Sequence, residues 1–529
     1  MLPASDLPEH ELNPRLRRAD WRFLLSTPRP NRALCRASQA LTDAVASIAH
    51  ELVSRSSGGD CDLVVAEDPD ERVLLELHGA LRPGGACYTE WHHRHGGVRQ
   101  VQRALRAAGF ADMTCYRTWP SSAILPVYWI PIGASGAAKY VRSRQRLRGG
   151  RVRRLVAGAR QRLVDLVMGK YRSPIHAIAH RPAADALNNE PDHVAWLRAR
   201  WQQLGLGTPP ERLSALLVTG GPRSVSKVVL LAFAEPSPLP VVAVKAPRVE
   251  GAASGLRREG AVLAGLASRR GHPIPGTPGL LFSREIEGVP LIGETALSGR
   301  PLDRLLSRRS FRAWSIKVTG WLAELATGSP SLPAAHWREA IVEPMLANVA
   351  ERFGQVVDPG LFREAEGILR TLGPLPAVPE QRDFGPWNLL VTPSSELAVL
   401  DWESGEVEGL PGLDLLYYLA YASFNVDRAH DRESRLASYR RSLDPTTRTG
   451  VVRRECIENY FRITGVEPAN LGPLRVLLWL IHAQSDFRHA EADAGGAPTS
   501  TALASGFFLK LWEQEVRVVS RSPEAPAGR

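Results

Sequence analysis

Gln381-Arg382-Asp383-Phe384-Gly385-Pro386-Trp387-Asn388, with Leu397-Ala398-Val399-Leu400-Asp401-Trp402-Glu403 close behind it, sets the frame for the whole chain. An apolar run follows Asn388, Thr392-Pro393-Ser394-Ser395 breaks it, and a second apolar run leads to Asp401. The pattern reads as strand, turn and strand, a hairpin that holds two carboxylates and an amide close together. Phosphoryl transfer from a nucleoside triphosphate needs such a set. One carboxylate orients or deprotonates the attacking hydroxyl, while the amide and the second carboxylate hold Mg2+ on the phosphates. The competing reading is a hairpin whose acids are solvated turn residues. A lone Asp or Asn would favour it, but a run of matches does not.

The kinase catalytic loop is written His-Arg-Asp, four residues, Asn, and Arg382, Asp383 and Asn388 fall in that register. The string resembles that of the aminoglycoside phosphotransferase and choline kinase family, small-molecule relatives of protein kinases. There the loop reads His-Gly-Asp, four residues, Asn, and an Ile-Asp-Trp-Glu-like strand follows. The resemblance implies ATP and Mg2+, Asp383 as catalytic aspartate, and Asn388 and Asp401 as metal ligands. Gln381 stands where the family has His; that histidine mainly supports the loop, and Gln can hydrogen-bond too.

Upstream residues fit the same resemblance. Leu213–Thr219 and Lys227–Phe233 read as antiparallel strands around a loop containing Gly220, Gly221, Ser224 and Ser226, whose small residues let backbone N–H groups approach phosphates. Val241-Val242-Ala243-Val244-Lys245 is a strand ending in lysine, like the V-A-I-K strand of kinases, and Glu259 lies on the helical run after it. In the family resemblance Lys245 holds the α- and β-phosphates and Glu259 pairs with it. Pro290 to Leu302 looks like the lobe-connecting segment, with backbone groups around Glu294 and Ala296 facing adenine. Gly409 to Tyr418 matches the family's Gly-x-Pro-x-x-Asp-Leu segment, in which Asp414 is a buried brace for the catalytic loop.

Residues 60–132 alternate strand and helix. Cys61–Ala66 is a buried-strand pattern, Glu71–Leu81 is amphipathic and closed by Arg82-Pro83-Gly84-Gly85, and Val98–Ala108 is a second helix closed by Gly109-Phe110. This implies an α/β sheet with covering helices. The wording resembles the second half of a class I methyltransferase. That family's S-adenosylmethionine site needs a glycine-rich turn after the first strand, and Asn31–Ser38 contains no glycine. The first half therefore reads as short or degenerate, and cofactor binding is not expected.

The chain has 529 residues, 44% hydrophobic and 23% charged, with a net charge of +11, as expected for a soluble globular protein of two or three domains. Five scattered cysteines without a CxxC pair argue against a zinc site or a disulfide framework and favour a reducing compartment. No signal-peptide pattern opens the sequence, so a cytoplasmic location is expected. Residues 142–172 are the most basic stretch. They suit either weak contact with an anionic membrane surface or a solvated linker helix, and their lack of stacking aromatics argues against nucleic acid.

The expected fold class is an α/β N-terminal domain, a degenerate Rossmann-like methyltransferase sheet, followed by an α+β two-lobed protein-kinase-like domain. The expected division is 1–135 for the first domain, 136–205 for a basic helical connector, 206–300 and 301–520 for the two lobes, and 521–529 for a disordered tail. The expected activity is transfer of the ATP γ-phosphoryl group to a hydroxyl of a small molecule of aminoglycoside, sugar or amino-alcohol type. The rivals are a non-catalytic nucleotide-binding pseudokinase or scaffold, and a bifunctional protein with a working methyltransferase domain.

Overall fold

The computed structural model describes residues 9–56, 58–92, 97–119, 126–146, 174–183, 192–220, 227–271, 274–494 and 503–521. The chain divides into two compact units, Met1–Gly260 with Pro278–Leu297, and Ala261–Thr277 with Ser298–Arg529.

The first unit is organised by a single twelve-stranded sheet. Its strands are β1 (Arg32–Arg36), β2 (Glu51–Val53), β3 (Cys61–Glu67), β4 (Leu81–Trp91), β5 (Ala111–Trp119) and β6 (Tyr128–Pro131). They continue as β7 (Ile175–His180), β8 (Leu213–Val218), β9 (Lys227–Ala234), β10 (Pro240–Pro247), β11 (Leu280–Ile286) and β12 (Val289–Thr295). The order across the sheet is β11-β12-β10-β9-β8-β6-β5-β7-β4-β3-β1-β2. One end, β2-β1-β3-β4, is parallel, and its buried strands read as near-continuous apolar runs because helices cover such sheets on both faces. From β7 to β11 every pair is antiparallel.

Tyr128 and Trp129 of β6 pair with Val218 and Leu217 of β8, joining the two stretches that the sequence presents as separate. One core follows the shared face, from Trp21, Leu63 and Tyr88 through Trp129 to Leu217, Leu230 and Val244. The stretch 136–205, read as a helical connector, supplies β7 at the middle of the sheet, where all six residues are buried. Its histidines hid it. His176 Nδ1 meets the Tyr88 hydroxyl at 2.9 Å, and the His180 ring meets the Asp112 carbonyl at 3.3 Å, so both polar side chains are satisfied inside. Arg142, Arg144 and Arg146 lie on the helix Ser135–Arg146; the rest of the basic run, 147–172, is outside the described residues.

The second unit is mainly helical. Its central helix, Leu413–Asp427, is hydrophobic on every face and almost wholly buried, as a helix must be when others surround it. Ahead of it lies the hairpin Leu389–Val391 with Leu397–Val399, in the register Leu389↔Val399 and Val391↔Leu397. Among the described residues no helix is long and apolar enough to cross a membrane.

Candidate active site

In the first unit, Lys245 on β10 is flanked by two carboxylates. Its Nζ lies 2.6 Å from Glu259 Oε1, on the helix Ala253–Arg270, and 2.8 Å from Glu294 Oε1 on β12. Strand register explains the second contact. Lys245 pairs with Ile292, so Glu294, two residues on, shares its face of the sheet. The side chains are 7%, 0% and 3% exposed, so both ion pairs lie out of solvent. The expected Lys245–Glu259 pair is present. The Glu294 carboxylate, for which the sequence suggested no side-chain role, contacts Lys245, and the Ala296 N–H bonds the Val241 carbonyl at 2.9 Å. Gly220 closes β8 with a φ of +72°, a conformation that suits glycine. Gly221, Ser224 and Ser226 lie outside the described residues.

In the second unit the hairpin brings Asp383, Asn388 and Asp401 together. Asn388 Nδ2 donates to the Asp383 carbonyl at 2.8 Å and to its Oδ2 at 2.9 Å. That leaves the amide oxygen as the atom able to meet a cation. The Leu400 N–H bonds the Asn388 carbonyl at 2.9 Å, which fixes Asp401 beside the loop. Burial first, and then the nearby Asp401 charge, push the Asp383 carboxyl up to about 6. The donors Asn388, Trp387 and Tyr417 pull it back. A Cβ at Gly385 would meet the Trp387 ring at 2.2 Å, so glycine there lets that ring lie against the loop.

Gln381 is the hub. Its backbone N–H donates to Asp414 Oδ2 at 2.6 Å, its side-chain oxygen accepts from the Asp383 N–H at 2.9 Å, and its side-chain amide donates to the Leu400 carbonyl at 3.1 Å and also to that of Asp401. It therefore ties the Arg382–Asn388 loop to the segment after Leu397–Val399 that carries Asp401, the support expected of a histidine in the family that the loop resembles. Asp414 also accepts from the Arg382 N–H at 2.9 Å, so it braces the loop as expected. Burial raises both the Glu380 and the Asp414 carboxyls above their ordinary range, with repulsion from Glu406 added at the first and from Glu380 at the second. The Arg382 guanidinium spans Glu380 at 3.3 Å and Glu406 at 3.0 Å. Arg382 and Asp401 have φ values of +68° and +67°, a region that costs non-glycine residues energy and concentrates at functional sites.

Two contacts to Asp383 were not anticipated. The Tyr417 hydroxyl donates to Oδ1 at 3.3 Å, and Trp387 Nε1 lies 3.5 Å from Oδ2. Tyr417 is one helical turn past Asp414, and that spacing was the available signal.

As a donor set for Mg2+, Asn388 and Asp401 offer hard oxygen ligands, and a cation there would relieve the repulsion that raises Asp383. The residues fit the ion. Glu67, Glu90 and His92 elsewhere also bring ligand atoms within 4.8 Å of one another. There the Arg18 guanidinium already forks both Glu90 oxygens at 2.6 Å.

No protein-family model matches the chain, and no curated protein matches it. Among solved structures the chain is similar to aminoglycoside phosphotransferase APH(4)-Ia, at 15% identity over 62% of this chain and 100% of that one, with a TM-score of 0.33. It is similar to a fructosamine-3-kinase-like protein from Haemophilus somnus 129PT, at 13% identity over 60% and 97%, with a TM-score of 0.36. A third is the streptomycin–ATP complex of APH(2")-IIa, at 13% identity over 56% and 97%, with a TM-score of 0.28. These neighbours are small-molecule phosphotransferases.

Proposed function

We propose that this chain is an ATP-dependent phosphotransferase of the kinase-like class acting on a hydroxyl of a small molecule. The observation that carries the reading is the Asp383–Asn388–Asp401 set, built on one hairpin and locked by Gln381 and Asp414. Asp383 accepts the hydroxyl proton as the acceptor oxygen forms its bond to the γ-phosphorus. The bond from that phosphorus to the β,γ-bridging oxygen breaks, and ADP leaves with the electron pair. Asn388 and Asp401 hold Mg2+, which when bound offsets the charge spread over the phosphate oxygens. Lys245, oriented by Glu259 and Glu294, engages the α- and β-phosphates, with the loop that begins at Gly220. Positioning and charge neutralisation supply most of the catalysis in this chemistry.

The test is ATP consumption across a panel of aminoglycosides, sugars and amino alcohols, repeated with Asp383→Asn. The variant is expected to bind nucleotide like the wild type and to lose at least about a hundredfold in turnover. Equal turnover in both would remove Asp383 from the mechanism. The Gln381 hydrogen bonds support the catalytic reading over a pseudokinase, because they supply the loop support that a histidine would.

We further propose that the parallel end of the large sheet is methyltransferase-like in descent and takes no S-adenosylmethionine. Open α/β sheets bind ligands at the carboxyl ends of their strands. Here the end of β4 is filled from within: Trp21 stacks on Tyr88 with ring centroids 3.9 Å apart, and Arg18 forks the buried Glu90. Calorimetric titration of the full chain with S-adenosylmethionine is expected to show no heat of binding; a saturable isotherm would reverse this reading.

A further inference from the structure

The first unit holds a pocket of about 230 Å³ lined by four arginines, Arg22, Arg29, Arg248 and Arg257. Glu250 is its one acidic lining residue. A second pocket, of about 330 Å³, shares Arg22, Arg29 and Arg248, so the same cations line two hollows. Arg22 and Arg248 are 4% and 3% exposed, and their positions are fixed. Arg22 Nη2 donates to the Arg248 carbonyl at 2.8 Å and its Nη1 to the Leu16 carbonyl at 3.3 Å. Arg248 forks Asp20 at 2.9 and 3.0 Å and also donates to the Thr219 carbonyl.

Packing like charges this closely at low dielectric is costly. Burial, together with Arg248 and Arg29, holds the Arg22 guanidinium down to about 10 despite the opposing pull of Asp20. Burial and Arg248 also lower the neighbouring Arg17. Asp20 is committed to Arg248 and Glu285 to Arg257, the latter at 2.9 Å on the surface. The pocket also receives Ser254 from the first turn of the helix Ala253–Arg270, which has no acidic residue in that turn. An anion there would lie beside the more accessible Arg29 and Arg257, in the positive field of the buried Arg22 and Arg248 and of the helix dipole.

We propose that this pocket is a binding site for a compact phosphate-bearing anion, a free phosphate or a soluble phosphomonoester, separate from the nucleotide constellation. Planar guanidiniums match phosphate oxygens two at a time, which a lysine cluster would not do, and the pocket's size suits a small ligand rather than a polymer. Arg248 follows Lys245 by three residues and bonds the carbonyl just before Gly220, so the site lies at the end of the strand that carries Lys245.

The test is calorimetric titration of the full chain with inorganic phosphate at constant ionic strength, for the wild type, Arg257→Ala and the Arg29→Ala/Arg257→Ala pair. Arg257 is exposed and Arg29 half-buried, so both variants should keep the wild-type melting curve in chloride. One saturable site is expected in the wild type, weakened about tenfold or more in the double variant. No saturable binding in the wild type, or equal affinity in wild type and Arg257→Ala and the double variant alike, would overturn the site. A parallel sedimentation with phosphatidic acid vesicles is expected to leave the protein in solution. Pelleting that depends on Arg29 and Arg257 would overturn the assignment to a soluble ligand.

Discussion

Gln381 bonds a backbone N–H on one strand end and backbone carbonyls on the next, so its amide sets the spacing between Asp383 and Asp401. Gln381→Leu would strand the Asp383 N–H and the two carbonyls in a fully buried position, at a cost of about 1–3 kcal/mol for each group left without a partner. It is expected to lower turnover by roughly a hundredfold, because misplacing a catalytic group by an ångström has that scale of effect. Gln381→His should recover most of the loss, since one ring nitrogen can accept and the other donate. A Gln381→His variant no more active than Gln381→Leu would show that the amide does more than hold the loop. Asp383 and Asn388 were legible in the sequence because both sit within one short loop, five residues apart. Tyr417 was not, because it reaches Asp383 only through the docking of the central helix.

At the scale of elements, the Lys245 site is a product of register. A strand ending in lysine was visible locally, and so was an acid on the next helix. That Glu294 faces Lys245 depends on the pairing of β10 with β12, separated by some fifty residues, which no local pattern displays. The cluster is a poor source of stability, since buried charges lose hydration that their pairing only partly returns. Removing the lysine is worse than removing the whole cluster. Lys245→Ala deprives two buried carboxylates of their ammonium and is expected to destabilise the fold by about 3–5 kcal/mol, read as a lower urea midpoint. Lys245→Met combined with Glu259→Gln and Glu294→Gln should recover most of that stability while remaining inactive. If the triple variant unfolded as early as the single one, buried charge would not be the cause. Likewise β7 escaped notice because two histidines in six residues read as polar, although both find partners inside the sheet.

At the scale of the molecule, the sequence reads as one α/β domain ending near residue 135 and another beginning near 206, each plausible by its own periodicity. The sheet contradicts their independence. β7 lies beyond residue 135 yet sits between β4 and β5, and β6 hydrogen-bonds to β8 across some ninety residues of chain. Removing residues 1–205 would leave β8 as a bare edge, with Leu217 and Leu230 stripped of the Trp129 side of their shared core. Exposed apolar edges of that kind invite strand addition by other chains. A fragment starting at residue 206 is therefore expected to aggregate, and a fragment of residues 1–135, lacking the strand that separates β4 from β5, is expected not to fold cooperatively. Size-exclusion chromatography and thermal melts of both fragments test this, alongside a fragment of residues 1–297 that keeps every strand of the sheet. If 206–529 ran as a monomer and phosphorylated acceptors at the full-length rate, the β6–β8 junction would be dispensable and the two ends of the sheet would be separate folding units after all. If the sheet is one cooperative structure, a substitution that weakens β7, such as Ala177→Asp at a position 1% exposed, should lower the stability of β8 to β12 together with that of β1 to β5. Amide hydrogen exchange would then show faster opening on both sides of the β6–β8 pair, because strands that share one core cannot lose it separately.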